Sequence, residues 1–154
     1  MPIKYTSGDI FLNRDRVQAF AHGCNCQGLM GAGIALAFKK HYPDMYTEYR
    51  RRCKAKPREF NLGDAFLWKE KDKPFVFNLG TQEQPGPNAT YEAIEMALGN
   101  MLRQTEAEEI FSVAMPLIGS GHGGLEWKRV VTEIEAIFGT WRGTLLVYVE
   151  FLPE

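Results

Sequence analysis

The run Leu145-Leu146-Val147-Tyr148-Val149 constrains the fold of this chain more than any other stretch. A strand with one wet face alternates apolar and polar residues, whereas a strand covered on both faces reads as an unbroken apolar run. Such a strand needs a packing layer above it and another below. The rest of the chain supplies them. Strand-like runs fall at 3–7, 17–22, 64–69, 74–79 and 110–115, with the last strand at 144–149. Apolar residues at helical spacing predict helices over 34–42, 45–53 and 90–104. A fourth carries Trp127, Val130, Val131, Ile134, Ile137 and Phe138. Six short strands interleaved with helices predict an α/β layered architecture, and 154 residues suit one domain with a real core.

Composition narrows the function classes only slightly. Hydrophobic residues make up 45% and charged residues 24%, the balance of a soluble globular protein, and a net charge of −1 names no partner. No window has the length and apolarity of a membrane-spanning helix, and the first residues read as a strand, so the expected compartment is the cytoplasm. Cys24, Cys26 and Cys53 cannot all pair. His22-Gly23-Cys24-Asn25-Cys26 looks like a fragment of a metal site, but a structural zinc needs a second Cys/His pair that the chain lacks. Buried, reduced thiols and no metal are therefore expected. Residues 39–58 hold eight basic side chains against Asp44 and Glu48. That stretch reads either as a surface for a phosphate-rich partner or as the solvated face of a helix.

Eight of the fifteen glycines lie within 23–33 and 119–124, in two loops that each leave a strand-like run and open into a helix-like one. Glycine lets the backbone turn sharply and approach a ligand, and a helix start aims unpaired N–H groups at an anion. Ligands of open α/β sheets collect outside the carboxyl ends of strands, where both loops fall. Two such cradles point to a diphosphate. Neither loop is a P-loop, since no Gly-Lys-Ser/Thr follows, and the first lacks the dinucleotide spacing. Around them, Asn25 carries both donor and acceptor groups suited to a sugar hydroxyl, Ser120 and the amides of 119–123 suit an anion nest, and Asp9 suits an exocyclic amine. Each also reads as a residue that satisfies its own turn.

The order of three motifs is what makes the chain resemble a family. Gly8-Asp9-Ile10, then the segment from His22 to Ile34, then Met115 through Trp127 look together like a macrodomain. The likeness runs over nearly the whole chain. It extends to the branch of the terminal ADP-ribose protein glycohydrolases and the DNA ADP-ribosyl glycohydrolases, and residues 22–53 are similar to the yeast ADP-ribose-1''-phosphate phosphatases. The resemblance implies a three-layer αβα sandwich with a mixed six-stranded sheet. It implies ADP-ribose as the ligand, no further cofactor, and ADP-ribose derivatives or an ADP-ribosylated macromolecule as partners.

Carried over by position, Gly8, Asp9 and Ile10 would meet adenine, and Asn25 the distal ribose. Gly31, Ala32, Gly33 and Ile34 would wrap the diphosphate from one side. Ile118, Gly119, Ser120, Gly121 and Gly123 would close from the other. Thr81 would join the distal end, and Tyr148 or Phe151 would pack on adenine. His22 and His122 are the candidate acid–base residues, because histidine titrates near neutrality; the competing reading of His22 is a strand-end histidine bonded to backbone. Two departures stand out. The branch's lysine after a threonine is Gln82 here, and the protein glycohydrolase's aspartate in the second loop is Gly123. The expected activity is therefore hydrolysis at the terminal ribose, either phosphatase action on ADP-ribose 1''-phosphate or deacetylation of O-acetyl-ADP-ribose. The alternatives are a non-catalytic reader of ADP-ribosylated protein or nucleic acid, and a mono-ADP-ribosyl hydrolase that lacks the lysine.

Overall fold

Two helical layers enclose the sheet, as the unbroken apolar strand requires. The computed structural model describes residues 2–154, the side chain of His122 excepted. In chain order the elements are β1 (Ile3–Gly8), β2 (Ala19–Asn25), α1 (Gly33–His41), α2 (Pro43–Lys54), β3 (Ala65–Trp68), β4 (Phe75–Gln82), α3 (Tyr91–Ala107), β5 (Ser112–Pro116), α4 (Trp127–Phe138) and β6 (Thr144–Phe151). Single 3-10 turns at Ile10–Leu12 and Gly121–Gly123 complete the set. The six strands lie in the order β1-β6-β5-β2-β4-β3. Every neighbouring pair is parallel except β3 with β4, so the sheet is mixed. This is a three-layer α/β/α sandwich.

The core splits into two clusters, one on each face. Ile94, Leu98 and Met101 of α3 with Val130, Ile134 and Phe138 of α4 pack on one side of the sheet. Phe38 of α1 with Met45, Tyr49 and Cys53 of α2 pack on the other. Local signals place the helix starts: the Thr90 hydroxyl accepts from the Ala93 amide at 3.2 Å, and Pro43 occupies the first turn of α2, where its missing N–H costs nothing.

Two strand ends depart from the sequence reading, and both matter for the site. The pattern stops β2 at residue 22 and β4 at residue 79. The strands instead run on to Asn25 and Gln82, paired in parallel through His22↔Asn78, Cys24↔Gly80 and, after a register shift, Asn25↔Gln82. Long-range pairing overrides the small and polar residues that look like strand ends. As a result, His22 lies within the sheet rather than at its rim. No helix among the described residues is long and apolar enough to cross a membrane.

Candidate functional site

Because β5, β2 and β4 run parallel and adjacent, their carboxyl ends open on one edge of the sheet, and a cleft of about 380 Å³ lies across them. Gly23, Cys24 and Asn25 of β2, Thr81 and Gln82 of β4, and Pro116 of β5 form its floor. The two glycine loops form its walls, with Gly31, Ala32 and Ile34 on one side and Ile118, Gly119, Ser120 and Gly123 on the other. Leu29, Met30, Leu117, Pro85 and Gly86 also line it and carry no sequence signal of their own. Pro85 and Gly86 come from the loop after β4, whose return is marked by a bridge between Gln82 and Ala89.

A second group of the expected residues gathers at the neighbouring strand ends. β1 and β6 are paired, with Gly8 opposite Phe151, and a Cβ on Gly8 would stand 3.9 Å from the Tyr148 ring. Ile10 is fully buried, and Phe11 meets Phe151 edge-on at 5.8 Å between centroids. The Asp9 carboxylate accepts from the Phe11 amide at 2.9 Å and from the Glu154 amide at 3.1 Å. None of these residues walls the cleft itself, nor do Gly33 and Gly121.

The two loops are shaped differently. In the second, Gly119 takes φ +73, a conformation that L side chains rarely adopt, and a Cβ there would fall 2.2 Å from Ile94 Cδ1. At Gly123 a Cβ would stand 2.9 Å from that of Ala89 and 3.4 Å from Gln82 Oε1. An aspartate at that position has no room without displacing the loop after β4. The Ser120 hydroxyl is buried with no hydrogen-bond partner among the described residues, in a residue that lines the cleft. A buried unsatisfied hydroxyl is costly and marks a place where a ligand oxygen fits. In the first loop, α1 begins after Ala32, whose side chain caps nothing, so its first amides are left for an anion.

Asn25 is more constrained than its chemistry alone implies. Its Oδ1 accepts from the Gln27 amide at 2.9 Å, the Leu29 amide at 3.4 Å and the Tyr49 hydroxyl at 3.1 Å, while Nδ2 donates to the Leu29 carbonyl at 2.8 Å. The acceptor is spent on the loop, and only donor capacity remains for the cleft.

His22 does not reach the cleft. It is wholly buried, its ring stacks on Phe38 at 4.0 Å, and Nε2 donates to Asn78 Oδ1 at 2.7 Å. Burial pushes its pKa down to about 4, against a smaller opposing effect of the Asn78 bond. A neutral, sealed imidazole cannot exchange a proton with a ligand, so the acid–base reading gives way to a structural one. Cys24 Sγ lies 3.6 Å from the same His22 nitrogen, but this is no thiol–imidazole catalytic pair: Asn78 already holds that nitrogen, and burial pushes the Cys24 thiol well up. Cys24, Cys26 and Cys53 are free and buried. The side chain of His122 lies outside the described residues; its backbone belongs to the 3-10 turn.

Gln82 fills the position of the branch's lysine. Its Nε2 donates to the carbonyls of Gln84 and Gly86 at 2.6 and 2.8 Å, which pins the loop after β4 over the cleft. Glu83 pairs with Arg58, which holds its carboxyl below the ordinary range, and its backbone carbonyl accepts from the Cys26 amide at 3.2 Å. Thr81, buried, donates to the Cys24 carbonyl at 3.4 Å. Among the described side chains that line the cleft, Cys24 alone is titratable, so the lining is neutral.

The basic run is paired only in part, mainly through two arginines of α2. Arg51 bonds Glu48 and Glu59, Arg52 bonds Glu48 and covers the Phe66 ring at 3.8 Å, and Lys39 lies 4.3 Å from the Tyr46 ring centroid. The bonds from Arg51 and Arg52 bring the Glu48 carboxyl down to about 2. Among the described residues, no cluster of three or more His, Cys, Asp or Glu is arranged to hold a metal ion.

Comparison with known proteins decides the family, since the Macro domain model matches residues 21–134. The chain belongs to the macrodomain family. This macrodomain is 34% identical over 139 residues to the DNA ADP-ribosyl glycohydrolase of Mycobacterium tuberculosis, covering 88% of this chain and 38% of that protein. It thus spans well under half the length of that relative. It is 38% identical over 175 residues to the ADP-ribose 1''-phosphate phosphatase of Meyerozyma guilliermondii, covering 96% of this chain and 98% of that one. Among solved structures, the macrodomain of Mycobacterium tuberculosis DarG superposes with a TM-score of 0.83 at 32% identity, covering 99% and 98% of the two chains.

Proposed function

We propose that this macrodomain binds the ADP-ribosyl group of ADP-ribosylated macromolecules and acts as a recognition domain rather than a lysine-dependent glycohydrolase. The observation that carries this reading is the makeup of the cleft. Two glycine walls, an uncapped helix start and the buried Ser120 hydroxyl offer neutral hydrogen-bonding groups to phosphate and ribose oxygens. No described side chain in the lining is poised to give or take a proton near neutral pH. The diphosphate would lie between the loops, and the distal ribose toward Asn25, Thr81 and Gln82. Gly8–Ile10 with Tyr148 and Phe151 form the group that would hold adenine, where aromatic stacking contributes about 1–3 kcal/mol.

A second reading rests on the relatives named as hydrolases. Hydrolysis at the terminal ribose, of ADP-ribose 1''-phosphate or of a mono-ADP-ribosyl link to DNA or protein, would then rely on positioning of water and substrate, which alone lowers a barrier by roughly 7–11 kcal/mol in favourable cases. His122 is its remaining candidate acid–base residue. Calorimetric titration with ADP-ribose, beside turnover assays on ADP-ribose 1''-phosphate, O-acetyl-ADP-ribose and ADP-ribosylated DNA and protein, separates the two. Saturable binding without turnover supports the recognition reading; turnover of any of these substrates replaces it with the second.

A further inference from the structure

The first glycine loop is shaped from behind by α2. The Tyr46 hydroxyl donates to the Gly28 carbonyl at 3.0 Å, and a Cβ on Gly28 would stand 3.5 Å from that of Cys53. Tyr49 makes the decisive contact. Fully buried among Phe60 and the α2 core, it places its hydroxyl 2.7 Å from the Asn25 carbonyl and 3.1 Å from Asn25 Oδ1. Burial pushes its phenol pKa up, so the hydroxyl stays protonated, and its one hydrogen goes to the nearer acceptor, the Asn25 carbonyl. The Gln27 and Leu29 N–H groups, which can only donate, point at Oδ1, so the Asn25 amide has one orientation that satisfies its neighbours. In that orientation one Nδ2 hydrogen goes to the Leu29 carbonyl and the other is left for the cleft that Asn25 lines.

We infer that Tyr49 is a positioning residue that anchors Asn25 by its main-chain carbonyl, holding in place an amide that the Gln27 and Leu29 N–H groups aim as a donor toward the cleft, so that this end of the site selects ligands presenting an acceptor oxygen there. The inference rests on the ADP-ribose reading, with the distal ribose supplying that oxygen. The residue touches no ligand; it acts through the amide 24 positions earlier in the chain.

The test compares two ligands in wild type and Tyr49→Phe, since ADP shares the adenosine diphosphate but lacks the distal ribose. Loss of one oriented hydrogen bond predicts roughly a five- to tenfold weaker Kd for ADP-ribose in Tyr49→Phe, with the Kd for ADP unchanged within about twofold. The side-chain amide resonances of Asn25 give an independent readout. In wild type the two Nδ2 protons are expected to be distinct, with one shifting on addition of ADP-ribose and not of ADP; in Tyr49→Phe they broaden or converge. A thermal melt checks that the variant folds. Equal loss for both ligands, or unchanged affinity and an unchanged Asn25 spectrum, overturns the inference while leaving ADP-ribose binding intact. Failure of the wild type to bind ADP-ribose overturns the parent reading and the selection with it.

Discussion

The two glycine loops face each other across one cleft, yet they hold their shapes by different means. The second is written into its own residues: Gly119 adopts φ +73 with Ile94 where a side chain would be, and its carbonyl accepts from the Leu125 amide at 2.9 Å. The first also carries a left-handed glycine, Gly28 at φ +83, but it leans in addition on α2, through Tyr46, Tyr49 and Cys53. A loop fixed by its own backbone fails when a glycine is replaced. A loop braced by a neighbouring helix gives way by less when one brace is removed, and loses chiefly the placement of the side chain it carries.

The largest effect that sharpens this contrast is expected at Gly119. Replacement by alanine adds left-handed strain to a clash with Ile94, and should cost about 3–4 kcal/mol of stability by denaturant titration. It should also weaken ADP-ribose binding far more than any change in α2. Beneath both loops lies His22. Its native pKa of about 4 stands below the ordinary 6.5, so between those values the unfolded chain binds the extra proton. Stability is therefore full above about pH 6.5 and falls as pH drops toward 4, by about 3 kcal/mol over the window. The His22 ring protons, followed by NMR, should not titrate until about pH 4; a midpoint near 6.5 would place the ring in contact with water.

Smaller effects follow at the loops themselves. Ser120→Ala removes a buried hydroxyl with no partner among the described residues, so stability should hold or rise slightly while ADP-ribose affinity falls roughly tenfold, about 1.4 kcal/mol. A loss of stability instead would show that the hydroxyl serves the fold. The smallest effect belongs to Arg50, an exposed side chain whose contact with the Gly28 carbonyl is long at 3.4 Å. Arg50→Ala should change stability by less than about 0.5 kcal/mol and ADP-ribose affinity by no more than about twofold. A larger loss would mean that charge, not the tyrosine hydroxyls, supports the first loop.

The elements were legible because their signals are local: apolar runs for β5 and β6, and the i, i+4, i+8 series Val130, Ile134 and Phe138 for α4. The ends of β2 and β4 were not, because pairing across more than fifty residues extends them. That extension explains the fate of His22, since sequence shows the chemistry of an imidazole but not its burial. Asn25 teaches the same lesson at finer scale. Its type is visible, but its placement depends on Tyr49, and the side of its amide that faces the cleft on the Gln27 and Leu29 N–H groups. The vacancy at Gly123 is likewise explained by Ala89 and Gln82, which sequence alone does not bring near it.

The most direct measurement is a calorimetric titration of the full chain with ADP-ribose, beside separate incubations of the protein with ADP-ribosylated DNA and with ADP-ribose 1''-phosphate, each analysed for released ADP-ribose. The account predicts one saturable site, weakened by Ser120→Ala and Gly119→Ala, and no product from either substrate. Absence of binding, or steady release of free ADP-ribose from those substrates, would contradict it.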